Sequence, residues 1–254
     1  MLFRRFVSTA LFTAASLSFG CGSGALGAHT IDPMDGNDTA TVAASMLDGS
    51  LSDADLETYA GSLSKERQET LGTLVDAIAD KRSSEGGAKL LFVCTHNSRR
   101  SQLAQAWATV AAHSRGLDDI EAFSGGTEVT AFHPNAIGAL ERAGLSVVRG
   151  DGSNPRVRVA LASTDMNLEC WSKRLDDDDN PSDDFIAVMT CDDADRACPS
   201  VSGASHRVAL SYVDPKVSDG TDLVAATYDE RSRQIAMEMA FVMSRVAETE
   251  EAES

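Results

Sequence analysis

The stretch LLFVCTHNSRRSQLAQAWA, Leu90 to Ala108, runs four apolar residues into Cys94 and reaches Arg100 five residues later. An apolar run of that length reads as a buried strand, and the pattern from Ser101 reads as an amphipathic helix. A short loop between a strand and a helix turns its backbone N–H groups inward, and the helix N-terminus adds its positive end, so Thr95, His96, Asn97, Ser98 and Arg99 form a cradle for an anion. The same field stabilises a thiolate at Cys94. Arg100 can hold two oxygens of a tetrahedral oxyanion in bidentate fashion. Ser101 can donate to the thiolate, and Asn97 can brace the loop through side-chain-to-backbone bonds. The chemistry implied is nucleophilic attack by sulfur on an oxyanion.

Other residues able to take part lie downstream. Cys191 and Cys198 stand seven apart in TCDDADRACP, and Asp214 precedes Pro215. A metal site is a poor account of the two cysteines, because no histidine lies near them at ligand spacing. No motif asks for an organic cofactor.

These residues need elements to carry them. KLLFVC, IEAFSGG, DFIAVMTC and HRVALSY read as four strands. Helices are predicted from Ser101 to about His113, from Pro134 to Gly144, and over about 227–247, where Ile235, Met239, Val242 and Val246 share a face. Strands alternating with helices imply an α/β fold, a four-stranded parallel sheet with helices on both faces. Ligands of such sheets bind at the carboxyl ends of the strands. Cys94, Ser124, Cys191 and Asp214 all fall there and are expected to converge.

Outside this unit the texture differs. Residues 51–82 read as a helical extension, with Ser52 as N-cap three residues before Asp55 and with Leu71, Leu74, Val75 and Ile78 on one face. SSEGG at 83–87 reads as the linker to a catalytic domain over 89–254, and the polar stretch of about 148–184 reads as an irregular insertion. Residues 1–28 resemble an export signal: Arg4 and Arg5, then FVSTALFTAASLSF, then small residues around Cys21 and Ala28. Residues 29–50 read as a linker. The expected location is outside the cell or lipid-anchored through Cys21; translation starting at Met34 or later would leave the protein in the cytoplasm. No later segment is apolar for long enough to span a bilayer.

The chain has 254 residues, and 43% of them are hydrophobic, which suffices for a well-formed core. The net charge of −17 argues against a nucleic-acid partner. Five cysteines are too few for a disulfide scaffold in a chain this long.

VCTHNSRRSQLAQAWA resembles the active-site loop of the low-molecular-weight protein tyrosine phosphatase superfamily, which includes the thioredoxin-coupled arsenate reductases. The resemblance continues through FSGGTEVTAFHPNAIGALERAG, VMTCDDADRACP and VDP. It implies that Asp214 is the general acid that protonates the departing oxygen. The cysteine pair is most like that of the arsenate reductases. There the resemblance implies a relay: Cys94 attacks arsenic, Cys191 attacks the Cys94 sulfur, and Cys198 attacks Cys191 to expose a disulfide to thioredoxin. The implied activities are arsenate reduction, phosphotyrosine hydrolysis through a phosphocysteine at Cys94, or non-catalytic sensing of an oxyanion or of redox state. The ligand this implies is arsenate, phosphate or a phosphoprotein.

The chain departs from the family pattern at three points. Arg99 stands where the family usually has a second loop cysteine. His96 replaces a glycine or aliphatic residue and either touches the oxyanion or faces solvent. Lys216 follows the acid where tyrosine phosphatases tend to carry aromatics, which leaves Tyr212 or Trp171 to supply a ring for a phenol. Cys170 has no assigned role.

Overall fold

The computed structural model describes residues 42, 44–46, 48–161, 164–198 and 200–253. The signal-like segment, Cys21, Met34 and the first part of the 29–50 linker lie outside the described residues. The end of that linker is not a spacer, because Val42 and Met46 are buried in the main core.

Helix α1 (Asp53–Ser62) opens with the expected cap, in which the Ser52 hydroxyl accepts from the Asp55 N–H and the Asp55 carboxylate accepts from the Ser52 N–H. Helix α2 (Lys65–Glu85) runs three residues past the predicted end. Ser84 stays helical by donating its hydroxyl to the Asp80 carbonyl, and the helix stops at Gly86, whose φ of 75° is left-handed. Leu71, Leu74, Val75 and Ile78 are buried in one core with Ile235, Met239, Val242 and Val246 of the C-terminal helix. Each buried aliphatic side chain stabilises by about 2 kcal/mol, so the extension is part of the globule and cannot detach cheaply.

Strand β1 (Ala88–Cys94) is central. It pairs in parallel with β2 (Ile120–Gly126) and with β6 (Phe185–Met189), which pairs in parallel with β7 (Ala204–Ala209), giving the order β2-β1-β6-β7. Side chains alternate along β1 as far as Val93: Leu90 and Phe92 enter the large core, whereas Leu91 and Val93 enter a second one, which Cys94 joins where the strand ends. The large core lies under α2, α3 (Arg100–Ser114), α4 (Pro134–Arg142) and α6 (Val224–Glu253). On the other face, Ala194 of the short helix α5 (Asp192–Ala197) joins Val201 and Leu175 over Leu91, Val93 and Met189. Both faces are covered, one far more heavily than the other.

The stretch read as an irregular insertion forms a second sheet. Strands β3 (Ser146–Arg149), β4 (Val157–Ala160) and β5 (Asn167–Cys170) pair antiparallel in the order β3-β4-β5. Val157 and Val159 are buried and Arg158 is exposed, an alternation too short to register as a strand in a polar stretch. The chain leaving β5 returns to the main sheet. There Gly126 donates its N–H to the Lys173 carbonyl at 2.9 Å and accepts from the Leu175 N–H at 2.9 Å.

Candidate active site

The loop from Thr95 to Arg99 turns from the carboxyl end of β1 into α3. Cys94 is 3% exposed and its Sγ lies 3.1 Å from the Ser101 hydroxyl. The turn depends on Asn97, which is fully buried and has a φ of 44°. Asparagine tolerates that left-handed conformation better than most residues. Its Nδ2 donates to Ser101 Oγ at 2.9 Å, and its Oδ1 accepts from the Lys173 N–H at 2.9 Å and from Gln102 Nε2 at 3.1 Å. Asn97 therefore ties the loop to α3 and to the segment after β5.

Other loop polar groups are also engaged. Ser98 Oγ donates to the Ala131 carbonyl at 2.6 Å. The Thr95 carbonyl accepts from the Glu128 N–H at 2.8 Å, and the His96 carbonyl accepts from the Ser172 hydroxyl at 2.9 Å. The His96 ring, nearly half exposed, lies 3.2 Å from the Glu128 carboxylate. Gly126 is required here, since a Cβ would sit 2.7 Å from the Asn97 nitrogen and 2.8 Å from the Thr95 carbonyl oxygen.

Arg100 reaches the segment that carries Asp214. Its Nη1 donates to the Tyr212 carbonyl at 3.1 Å and its Nη2 to Asp214 Oδ2 at 2.9 Å. The buried Arg100 Nε has no hydrogen-bond partner among the described residues. The other Asp214 oxygen accepts from the Lys216 N–H at 3.0 Å, capping the 3-10 turn Pro215–Ser218. Arg99 points to a second acidic group. Its Nε donates to Tyr228 Oη at 2.9 Å, and its Nη2 lies 3.7 Å from Asp219. Tyr228 in turn donates to Asp219 at 2.9 Å and stacks on His133. Burial pushes the Tyr228 phenol up to about 12, helped by its bond to Asp219. Burial, then the Arg99 charge, lowers the His133 pKa below its ordinary value.

Cys191 follows β6 and caps α5, its Sγ accepting from the Ala194 N–H at 3.4 Å. The same sulfur lies 3.6 Å from the Thr95 hydroxyl, which places Cys191 against the loop. Cys94 and Cys191 belong to one buried cluster, and Cys198, at the far end of α5, packs against it while partly exposed. All three are free thiols. Arg207 fixes the end of that helix by donating to the Cys198 carbonyl at 3.2 Å and to the Asp195 carboxylate at 2.5 Å. Among the described residues, no group of three His, Cys, Asp or Glu side chains could hold a metal ion.

One residue expected at this edge is not there. Ser124 lies within β2 and is fully buried, donating to Gln105 Oε1 at 2.6 Å, because the strand continues through both glycines before turning. The phenol-ring candidates are also occupied. Tyr212 is buried beneath the Arg67 guanidinium, 4.6 Å from its ring centre, and Trp171 has Arg156 at 3.8 Å and Lys173 at 4.1 Å from its own. Burial pushes the Cys170 thiol up to about 12, which fits a core residue. Gln102, Ser172, Lys173 and Tyr228 escaped sequence reasoning. Of these only Gln102 gave a signal, as a polar side chain directly after Arg100 and Ser101 in the first turn of the helix.

The family model for low molecular weight phosphotyrosine protein phosphatase matches residues 89–149. An arsenate reductase from Bacillus licheniformis is 28% identical over 163 residues, which cover 64% of this chain and 96% of that protein. One from Halalkalibacterium halodurans is 26% identical over 52% of this chain and 78% of its own length. Among solved structures, an arsenate reductase from Archaeoglobus fulgidus is 19% identical, covers 61% of this chain and 98% of its own, and has a TM-score of 0.40. An arsenate reductase in a phosphate-binding state is 19% identical over 63% and 98%, with a TM-score of 0.40. The cysteine–arginine loop thus lies inside the segment that matches the low molecular weight phosphotyrosine protein phosphatase family model, and the chain is similar in sequence to arsenate reductases.

Proposed function

We propose that the protein is a thiol-dependent oxyanion enzyme and that its reaction is arsenate reduction through Cys94, Cys191 and Cys198. The observation that carries this reading is the set of three free thiols graded from a buried loop cysteine to a partly exposed one, with Cys191 against the loop at Thr95. In the proposed sequence the oxyanion takes the loop N–H groups and Arg100, whose Nε is without a hydrogen-bond partner among the described residues. The Cys94 thiolate attacks arsenic, and Asp214 supplies a proton as an oxygen leaves as water. The Cys191 thiolate then attacks Cys94 Sγ; a disulfide forms, the sulfur–arsenic bond breaks, and its electron pair departs with arsenite. Cys198 attacks Cys191, regenerating Cys94 and leaving a Cys191–Cys198 disulfide for a dithiol donor of the thioredoxin type.

Hydrolysis of phosphate monoesters is the second reading, because the same loop and acid serve it with water in place of Cys191. It ranks below the first because neither Tyr212 nor Trp171 offers a free ring to a phenol. For location we propose that the two readings divide: the exported or lipid-anchored state that the N-terminal sequence suggests goes with the phosphatase reading, because Cys191 and Cys198 would oxidise there, and the relay goes with cytoplasmic residence and translation from Met34 or later.

The test is a paired assay on protein lacking residues 1–28. One arm follows arsenate-dependent NADPH oxidation with thioredoxin and its reductase, the other p-nitrophenyl phosphate hydrolysis. Arsenate turnover abolished by Cys198→Ser supports the relay. Ester hydrolysis alone, indifferent to Cys191→Ser and Cys198→Ser, overturns it in favour of a phosphatase. Phosphate binding without turnover in either arm makes the protein a sensor.

A further inference from the structure

The segment from Leu210 to Asp214 carries the acid but belongs to neither helix nor strand. Backbone bonds hold its start, with Leu210 donating to the Met189 carbonyl at 3.0 Å and Tyr212 to the Thr190 carbonyl at 3.1 Å. Side chains complete the holding, and one of them, on Ser211 and Tyr212, comes from outside the phosphatase-like domain. Arg67, in the first turn of α2, donates from Nη1 to the Ser211 carbonyl at 2.9 Å and lies over the Tyr212 ring. Its Nε and Nη2 fork both oxygens of Glu238 on α6, at 2.9 and 2.6 Å. The Glu238 side chain is fully buried. Both partners are thereby fixed, since a bidentate pair locks the plane of the guanidinium. The chain of contacts continues: the Tyr212 carbonyl accepts from Arg100 Nη1, and Arg100 Nη2 donates to Asp214 Oδ2.

We infer that Arg67, oriented by Glu238, is a positioning residue for the acid, so that the N-terminal helical extension forms part of the reaction machinery. The inference rests on Asp214 acting as the acid. A guanidinium is needed because three directed N–H bonds must reach one carboxylate and one carbonyl at once, which an ammonium on a flexible stem cannot reproduce. Arg67 touches no reacting atom; it fixes the backbone two to three residues ahead of the carboxylate.

The experiment compares two phosphate monoesters, p-nitrophenyl phosphate, whose leaving group departs with little help, and phenyl phosphate, whose leaving group needs a proton. Steady-state kinetics on the wild type, Asp214→Asn and the paired variant Arg67→Met/Glu238→Gln are recorded together with melting curves. The pairing removes the buried charge along with its partner, and Arg67→Lys replaces it should the paired variant not fold. The inference expects kcat on phenyl phosphate to fall about 10-fold, within the reach of a displaced general acid. It also expects a smaller loss on p-nitrophenyl phosphate and an unchanged KM. Equal loss on both esters, or none, in a variant set where Asp214→Asn is selective, overturns the inference alone. If Asp214→Asn does not discriminate between the two esters, the acid assignment fails and takes the inference with it; where the wild type hydrolyses neither ester, kcat of arsenate reduction is read instead, and the paired variant is expected to lose about 10-fold at unchanged KM, an unchanged kcat overturning the inference.

Discussion

Asn97 offers the sharpest test of how the loop is held. Asn97→Ala removes three side-chain hydrogen bonds, to Ser101, Lys173 and Gln102, all in a buried setting. At about 1 kcal/mol each they sum to about 3 kcal/mol. Alanine must also adopt a φ of 44° without the local bonding that makes asparagine tolerable there, which adds about 1 kcal/mol. Asn97→Gly loses the same bonds without the strain and is expected to be milder by about that 1 kcal/mol. In a domain of this size the alanine variant should melt about 10 °C lower. Inorganic phosphate supplies a second readout. Saturating phosphate at 100 times its Kd stabilises the wild type by about 2.7 kcal/mol, and a loop that has lost its shape should show little of that gain. Calorimetric scans of three proteins with and without phosphate settle both points. A melting loss under about 3 °C, or a variant that melts low yet keeps the full phosphate shift, refutes the claim that Asn97 preorganises the cradle.

The remaining expectations concern single groups. Asp214→Asn should lower kcat on phenyl phosphate by about 100-fold or more with KM little changed; an unchanged kcat removes Asp214 from the acid role. His133, whose pKa is lowered by burial and by Arg99, disfavours its own protonation in the fold. The sign follows: below its unfolded pKa near 6.5 the unfolded chain binds the proton more readily, so stability falls as pH drops from about 6.5 towards the folded value. Melting at pH 5.5 and 7.5 should therefore show a smaller difference in His133→Asn, and an identical difference refutes the shift. Iodoacetamide on native protein should modify partly exposed Cys198 well before Cys170, whose thiol is fully buried and pushed up to about 12. Peptide mapping reads the order, and early labelling of Cys170 overturns it. Arg67→Met alone should cost about 3–5 kcal/mol, because it strands the buried Glu238 carboxylate, and adding Glu238→Gln should recover much of that in a denaturant titration.

Local chemistry determined a large part of this protein. The apolar run before Cys94 could only be a buried strand, Ser52 and Asp55 announced their own helix start, and Gly86 and Gly144 ended helices where left-handed backbone was needed. The loop's chemistry was equally legible, because a thiol, a guanidinium and a helix N-terminus act within a few residues of one another. The tertiary structure decided what depends on contacts between distant residues. Strands of four residues in a polar stretch carry too little periodicity to be seen, yet β5 delivers Ser172 and Lys173 to the loop. Ser124, expected at the carboxyl end of its strand, is instead buried within β2 by the register. Arg67 lies 171 residues from Glu238 and 144 from Ser211. No pattern in the sequence marks such partners, because a side chain's hydrogen bonds are set by where the backbone brings its neighbours, and that is fixed only once the cores have closed.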